Sequence, residues 1–194
     1  KKIALDAIAD TINACVDEEI NVYKLPVFDI EYLFTQIRSK SVGESSNVNV
    51  SCTECKHPNE LNIDLSKIKV SVPKSIKPIK LSDDMTLHLK YPILAEVTDT
   101  MIDNESNNVS QTQQIFDLIA ICLESLETEE ELINFGDESK EEVMAFLESF
   151  NNKQFEQVRK FVEELPQMKH DVKFDCESCA HANEITLKGT SDFF

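Results

Sequence analysis

Two segments of the chain carry cysteine pairs that could bind one metal ion. The first segment contains Cys52 and Cys55, and the second contains Cys176 and Cys179. Two thiolates separated by two residues on a tight turn can both reach one Zn²⁺ ion at about 2.3 Å, and two such pairs complete a tetrahedral site. The sequence therefore predicts a structural zinc site whose ligands are these four cysteines.

The sequences that follow the two pairs repeat in register. A histidine, an asparagine, a glutamate and two aliphatic residues occupy matching positions in CTECKHPNELNI and CESCAHANEITL. Alternating apolar residues on both sides of each pair predict short β-strands. Each half thus predicts a β-hairpin with a metal-binding turn at its tip, and two such hairpins facing each other form a zinc ribbon.

Other roles for the cysteines are less consistent with the pattern. A thioredoxin-like pair would begin a helix, and covalent haem attachment needs a histidine directly after the second cysteine. Two separate metal sites, or a mixed site that uses His57 or His181, remain open, as does iron in place of zinc. We expect both histidines to lie near the site or at the surface. The remaining thiols, Cys15 and Cys122, lie on apolar helix faces and are predicted to be buried in the core.

The elements around the metal site predict an α+β fold, with N-terminal helices and a large, mainly helical insertion between the hairpins. The predicted segments are an N-terminal helical part (1–44), the first hairpin with a small β region (45–92), a helical region (93–167) and the second hairpin (168–194). Within the helical region, apolar residues at helical spacing from Ile115 to Leu126 predict one helix. The polar stretch 103–112 predicts a loop.

Composition excludes several classes of function. The net charge of −17 would repel nucleic-acid phosphates, so a nucleic-acid-binding zinc ribbon is the less favoured class. No apolar run is long enough to predict a membrane span. With only three glycines and no phosphate-binding loop or nucleophile motif, the chain is predicted not to be an enzyme. A four-thiolate zinc site is also closed to substrate.

Four segments, in the same order along the chain, resemble the T4-type bacteriophage baseplate hub family. They are LPVFDIEYLFTQIRSKSVGE (Leu25–Glu44), DDMTLHLKYP (Asp83–Pro92), MKHDVKFDCESC (Met168–Cys179) and LKGTSDFF (Leu187–Phe194). The resemblance implies a protein of the myovirus tail baseplate hub, or a factor that assembles the hub. It also implies an additional N-terminal segment, which family members usually have.

The resemblance leaves two functional classes open. One is a structural hub subunit of the virion tail baseplate that contacts other tail proteins. The other is an assembly chaperone of the host cytoplasm, for example for the tape-measure protein, that is absent from the mature virion. Either would bind partners through apolar surface, with candidate contacts at Leu25, Phe28, Tyr32, Phe193 and Phe194. Alternatively, the two terminal phenylalanines dock onto their own fold.

Overall fold

A computed structural model describes residues 2–18, 20–70, 75–107 and 109–193. The α-helices are α1 (Lys2–Cys15), α2 (Val27–Ser41), α3 (Leu94–Asn107), α4 (Gln111–Ile121), α5 (Lys140–Glu148) and α6 (Asn152–Glu163). The strands are β1 (Ser45–Ser51), β2 (Pro58–Asp64), β3 (Lys69–Val70), β4 (Ile79–Lys80), β5 (Met85–Leu89), β6 (Leu123–Thr128), β7 (Leu132–Asn134), β8 (Met168–Asp175) and β9 (Ala182–Lys188).

The chain forms two compact units. The hairpin unit comprises Asp6–Val72 and Pro166–Phe194, and the helix–sheet unit comprises Lys1–Leu5 and Pro73–Leu165. Small antiparallel sheets and helices make up both units, which confirms the predicted α+β class. The division of the sequence into four segments stays a prediction.

The hairpin unit is built on two small sheets. Strands β1 and β2 pair as an antiparallel hairpin, and β8 pairs with both β9 and the short β3. Alternate residues of β1 are buried, as the sequence alternation predicts for a strand with one face on a core. The core residues of this unit are Val48, Val50, Ile63, Leu65, Ile68, Met168, Val172, Leu187 and Phe193.

The end of the described chain is anchored in this core. Phe193 is fully buried, and its backbone oxygen accepts a hydrogen bond of 2.6 Å from the Ser46 hydroxyl. A 3₁₀ helix at Thr190–Asp192 precedes it, and the Thr190 N–H donates to Glu31 Oε1 of α2 at 3.3 Å. Burial raises the pKa of the Glu31 carboxyl, although this backbone hydrogen bond opposes the shift. The phenylalanine therefore packs within its own fold.

The helix–sheet unit packs helices against a four-stranded sheet ordered β4-β5-β6-β7. Buried aliphatic residues of β5, β6, α4, α5 and α6 form its core. Partly buried hydrophobic side chains, including several phenylalanines, pack against this core. Ser139 and Asn151 begin α5 and α6 with capping boxes: each cap side chain accepts a hydrogen bond from the third helical N–H, and the backbone N–H of the cap residue donates to the side chain of that third residue. These caps fix where the two helices start.

The predicted helix through Leu126 is wrong in its second half. The helix α4 ends at Ile121, and Leu123 begins strand β6. The pairing of β5 with β6 shifts register at His88 and Leu89, so that β6 has one extra residue there. This bulge places Leu123 and Leu126, three residues apart, opposite Leu89 and Leu87 on one buried face. A spacing of three is also the helical spacing, which explains the error.

Two smaller expectations also require correction. The polar stretch predicted as a loop is mostly helical, because α3 continues to Asn107 and α4 begins at Gln111 after a cap at Ser110. Cys15, predicted to be a core thiol, is exposed at the end of α1, whereas Cys122 is buried as predicted. Across the described ranges, no helix combines the length and apolarity needed to cross a membrane.

Replacing Gly189, which follows β9, is predicted to lower the stability of the fold. Its backbone lies at φ 61° and ψ 175°, a region that is almost exclusive to glycine, and a Cβ there would lie 3.1 Å from Glu31 Oε1. We expect Gly189→Ala to lower the free energy of unfolding by about 1–3 kcal/mol, measured by urea denaturation. Gly136→Ala is the matched control, because its Cβ would meet no atom within 4 Å. Equal stability of the two variants would contradict this account.

Candidate metal centre

Each hairpin of the hairpin unit ends in a tight turn that carries one cysteine pair. In the first turn, the Cys52 N–H donates to the His57 oxygen at 2.9 Å, and the Lys56 N–H donates to the Cys52 oxygen at 3.1 Å. In the second turn, Cys176 repeats both bonds with His181 and Ala180, at 2.9 and 2.8 Å. The repeated sequence therefore folds into two turns with the same backbone hydrogen bonding.

The residue after each second cysteine adopts a left-handed conformation. Lys56 has φ 61° and Ala180 has φ 57°, although neither is glycine. Such a conformation costs a non-glycine residue about 1–2 kcal/mol, so the surrounding contacts must hold it. The consequence is a chain reversal directly after Cys55 and Cys179, which turns both cysteines of a pair toward the same point.

All four thiols meet at that point. Their sulfur atoms lie within 4.8 Å of one another, with 3.8 Å between Cys52 and Cys179 and 3.6 Å between Cys55 and Cys176. Four sulfurs placed tetrahedrally at about 2.3 Å from one ion lie about 3.8 Å apart. The donor set and its spacing therefore fit a tetrahedral metal ion, and the separations are too long for disulfide bonds.

The thiols differ in how easily they lose their protons. Burial raises the pKa of Cys52, but hydrogen bonds from the Cys55 N–H and the Asn183 side chain bring it down to about 6. The pKa of Cys176 is also lowered, because backbone N–H groups of its own turn outweigh its burial. The His181 N–H lowers the pKa of Cys179, but the neighbouring thiols raise it to about 12. Cys52, Cys176 and Cys179 therefore lose their protons at different pH values, and a divalent cation would displace the protons that remain on them.

Two buried asparagines link the turns to each other. Asn59, which follows the first turn, accepts a hydrogen bond of 2.9 Å from the Glu177 N–H of the second turn. Asn183, which follows the second turn, accepts bonds from the N–H and hydroxyl of Thr53 in the first turn, at 2.9 and 2.8 Å. Asn183 also donates to Cys52 Sγ at 3.6 Å. Each turn is therefore completed by an amide from the opposite hairpin.

The sequence interpretation did not assign a role to these asparagines, although it contained a signal for them. Both occur seven residues after the first cysteine of their pair. A polar residue repeated at the same distance from two ligands is typical of a group that orients those ligands. The repeat could not show which groups the two asparagines bond, because each amide accepts from the turn of the other hairpin.

The structure places the remaining candidate ligands outside the cluster of four thiols. His57 and His181 are both exposed, and their contribution to the turns is the backbone oxygen that binds the cysteine N–H. Each of these oxygens also accepts from the asparagine of its own turn at 2.8 Å. Within the residues that the structure describes, the four cysteines form the one group of candidate ligands close enough to share an ion.

The predicted partner contacts lie in several different environments. Tyr32 on α2 is 38% exposed, Leu25 is half-buried, and Phe28 is 8% exposed. Phe193 lies in the core, as described above, and Phe194 lies outside the described residues. The exposed ring of Tyr32 is therefore the more accessible part of the predicted surface.

Comparison with known proteins identifies a family. A family model described as T4 bacteriophage base plate protein matches residues 1–194, the whole chain. No curated protein and no solved structure matches the chain.

Asn59 and Asn183, whose side-chain amides reach across to the opposite turn (the crossed amides), are predicted to stabilise the hairpin unit. Replacing Asn183 with alanine leaves the part-buried Thr53 N–H without its acceptor and removes the bond to the Thr53 hydroxyl, so we expect a loss of about 1–3 kcal/mol in the free energy of unfolding. Asn59→Ala should lose a similar amount, since it orphans the Glu177 N–H. Asn62→Ala is the matched control, because Asn62 is exposed and its side-chain amide donates to the Asn47 side chain within the same hairpin.

Urea denaturation of the three variants checks this expectation. A control variant that is as unstable as the two others would show that the amides act locally within a strand and do not join the turns.

Proposed function

The chain belongs to the T4 bacteriophage base plate protein family, and on this premise we propose that it is a non-enzymatic structural component of the baseplate hub of a myovirus tail. The match over all 194 residues is the observation that carries the proposal. The predicted resemblance to this family is thereby confirmed, whereas the position in the hub is our inference from the segments that resemble hub proteins. Its partners would be other tail and baseplate proteins.

We further propose that the four cysteines bind one structural Zn²⁺ ion. A tetrahedral set of four thiolates suits zinc or iron, and a closed set of four protein ligands leaves no position for a substrate. The ion would therefore hold the fold together and would not catalyse a reaction. Because Cys55 and Cys176 are both ligands, the ion would close a loop of 120 residues, from Lys56 to Asp175.

This loop closure explains why a tail protein would need the ion. The first hairpin is a sheet of two strands, β1 and β2, and an isolated two-stranded hairpin is marginally stable in water. Structural zinc contributes on the order of 10–16 kcal/mol of apparent binding free energy in small peptides. Even a fraction of that would help to keep the two hairpins together.

Substitution of the cysteines tests the metal proposal. We expect wild-type protein to hold one zinc ion per chain, and Cys52→Ser and Cys176→Ser to lose the ion and unfold at lower urea concentration. Cys15→Ser is the matched control, because Cys15 is an exposed free thiol outside the cluster. Elemental analysis by mass spectrometry measures the metal and distinguishes zinc from iron. Equal zinc content in all four proteins would refute the proposal.

The alternative function is a tail assembly chaperone, for example for the tape-measure protein. The strong negative charge favours it, because net charge keeps a protein soluble while it holds an aggregation-prone partner. Such a protein would bind through accessible apolar surface, for which the exposed Tyr32 ring is the candidate. A chaperone would leave the particle before maturation, and a hub subunit would stay.

Quantitative mass spectrometry of purified mature virions separates the two functions. A hub subunit should be present in a fixed ratio to the tail tube protein, which serves as the internal standard. Absence from virions, together with presence in tail assembly intermediates from infected cells, would establish the chaperone and refute the hub subunit.

A further inference from the structure

Strand β1 of the hairpin unit has a free edge. Among the described strands it pairs with β2 alone. The Cys52 N–H continues this ladder, since it donates to the His57 oxygen at 2.9 Å. Bonded and non-bonded pairs alternate in an antiparallel ladder, so the even-numbered residues of β1 bond β2. The backbone N–H and C=O groups of Asn47, Asn49 and Ser51 therefore point away from β2, to the free edge.

A groove of about 450 Å³ runs along this edge. Its walls include residues Asn47–Ser51 of β1 on one side and Ile185–Leu187 of β9 with Asp192 on the other. In the part of the chain that the structure describes, β9 is an outer strand of its own sheet. The hydrogen bonds of the second turn set the same alternation in β9, so the backbone groups of Thr186 point away from β8. The groove therefore lies between two strand edges.

The edge of β1 lacks the features that usually prevent strands from pairing. Native proteins guard sheet edges with charged side chains, proline, bulges or short strands. The sequence of β1, SSNVNVS, contains neither a charged residue nor a proline, and β1 pairs with β2 without a register shift. By contrast, β2 begins with Pro58 and carries Glu60 and Asp64. At the end of β9, Asp192 Oδ2 accepts from the Lys188 N–H at 2.7 Å. The edge of β1 is thus the less guarded one.

The spacing of the outward-pointing groups determines what can fill the groove. They recur at every second residue, or about every 6.7 Å along the strand. A helix bonds its backbone internally, whereas another extended chain presents donors and acceptors at the same repeat. Val48 and Val50 lie in the core on one face of β1, and the uncharged Asn47 and Asn49 are exposed on the other. A matching strand would therefore alternate apolar and polar residues.

We propose that an extended segment of a neighbouring tail protein adds to the edge of β1 as a further strand in this groove. Its backbone would bond Asn47, Asn49 and Ser51, and its apolar side chains would lie beside Val48 and Val50. A second copy of this chain is the less suitable donor, because two chains with a net charge of −17 each repel one another. The pairing rests on the strand edge alone, whereas the assignment to a tail protein rests on the proposed function.

Hydrogen exchange of backbone amides, measured by NMR on the full chain, tests the pairing. The probe is a peptide of alternating valine and threonine residues with blocked ends and a lysine near each end. At a peptide concentration about ten times its Kd, we expect exchange at Asn47, Asn49 and Ser51 to slow about tenfold. The same peptide with methylated backbone nitrogens cannot donate, so it should leave exchange unchanged. Unchanged exchange with the first peptide, or equal slowing with both, would overturn the proposal.

Two proline variants identify the edge that binds. Asn49 and Glu60 form a non-bonded pair of the ladder, so Asn49→Pro removes an N–H at the groove and Glu60→Pro removes one at the opposite edge. Both variants should fold, because proline is tolerated where a strand N–H faces solvent. Asn49→Pro should weaken peptide binding about tenfold, and Glu60→Pro should bind as the wild type does. Equal affinities would overturn the assignment to β1. If Asn49→Pro fails to fold, exchange in the wild type decides.

Hydrogen exchange within tail particles from infected cells, followed by mass spectrometry, tests the source of the strand. We expect slow exchange over residues 47–51 in the particles and fast exchange in the isolated chain. Fast exchange in both would overturn the tail source, and a dimer of the isolated chain with slow exchange at these residues would assign the edge to a second copy. Absence of the chain from the particles would overturn the proposed function and the tail source together, without affecting the peptide result.

Discussion

Four thiols from two distant parts of the chain lie close enough to repel one another once they lose their protons. Burial raises the pKa of Cys52, but backbone N–H groups lower it to about 6; the His181 N–H lowers the pKa of Cys179, but the neighbouring thiols raise it to about 12. The proposed divalent cation would remove the conflict, since it would stabilise all four thiolates together. The two turns and the crossed amides surround this point, so the ion would hold them together.

Features encoded by local spacing could be predicted from the sequence. The two cysteine pairs, their hairpins and the α+β class follow from residues that lie within a few positions of one another. Interactions between residues that are far apart in the chain could not be predicted. Asn59 and Asn183 were visible as a repeat, but only the fold shows that each bonds the opposite turn. Likewise, the bulge that places Leu123 and Leu126 on one buried face of β6 depends on the pairing of β6 with β5, and no local pattern reveals that pairing.

The charge of the chain illustrates a second difference between composition and structure. A net charge of −17 predicts the sign of a favourable partner but not where that partner binds. Most acidic residues are solvated and interact only weakly with any one cation. Asp117 differs because its side chain is only 2% exposed, and a buried hydrogen bond, such as the one it accepts from Gln113, is electrostatically stronger than it would be in water. Burial, and not the number of acidic residues, therefore decides how strongly a carboxylate of this chain interacts.

The crossed amides also determine when the protein can mature during its synthesis. The ribosome releases Thr53 and its turn long before it adds Asn183, because 129 residues separate the two amino acids in the chain. Throughout that interval the nascent first hairpin has neither its second pair of sulfurs nor the amide that completes its turn. The helix–sheet unit emerges in between and has its own core, so it can fold before the ends of the hairpin unit find each other. Closure of the first turn therefore waits until the second hairpin has been synthesised.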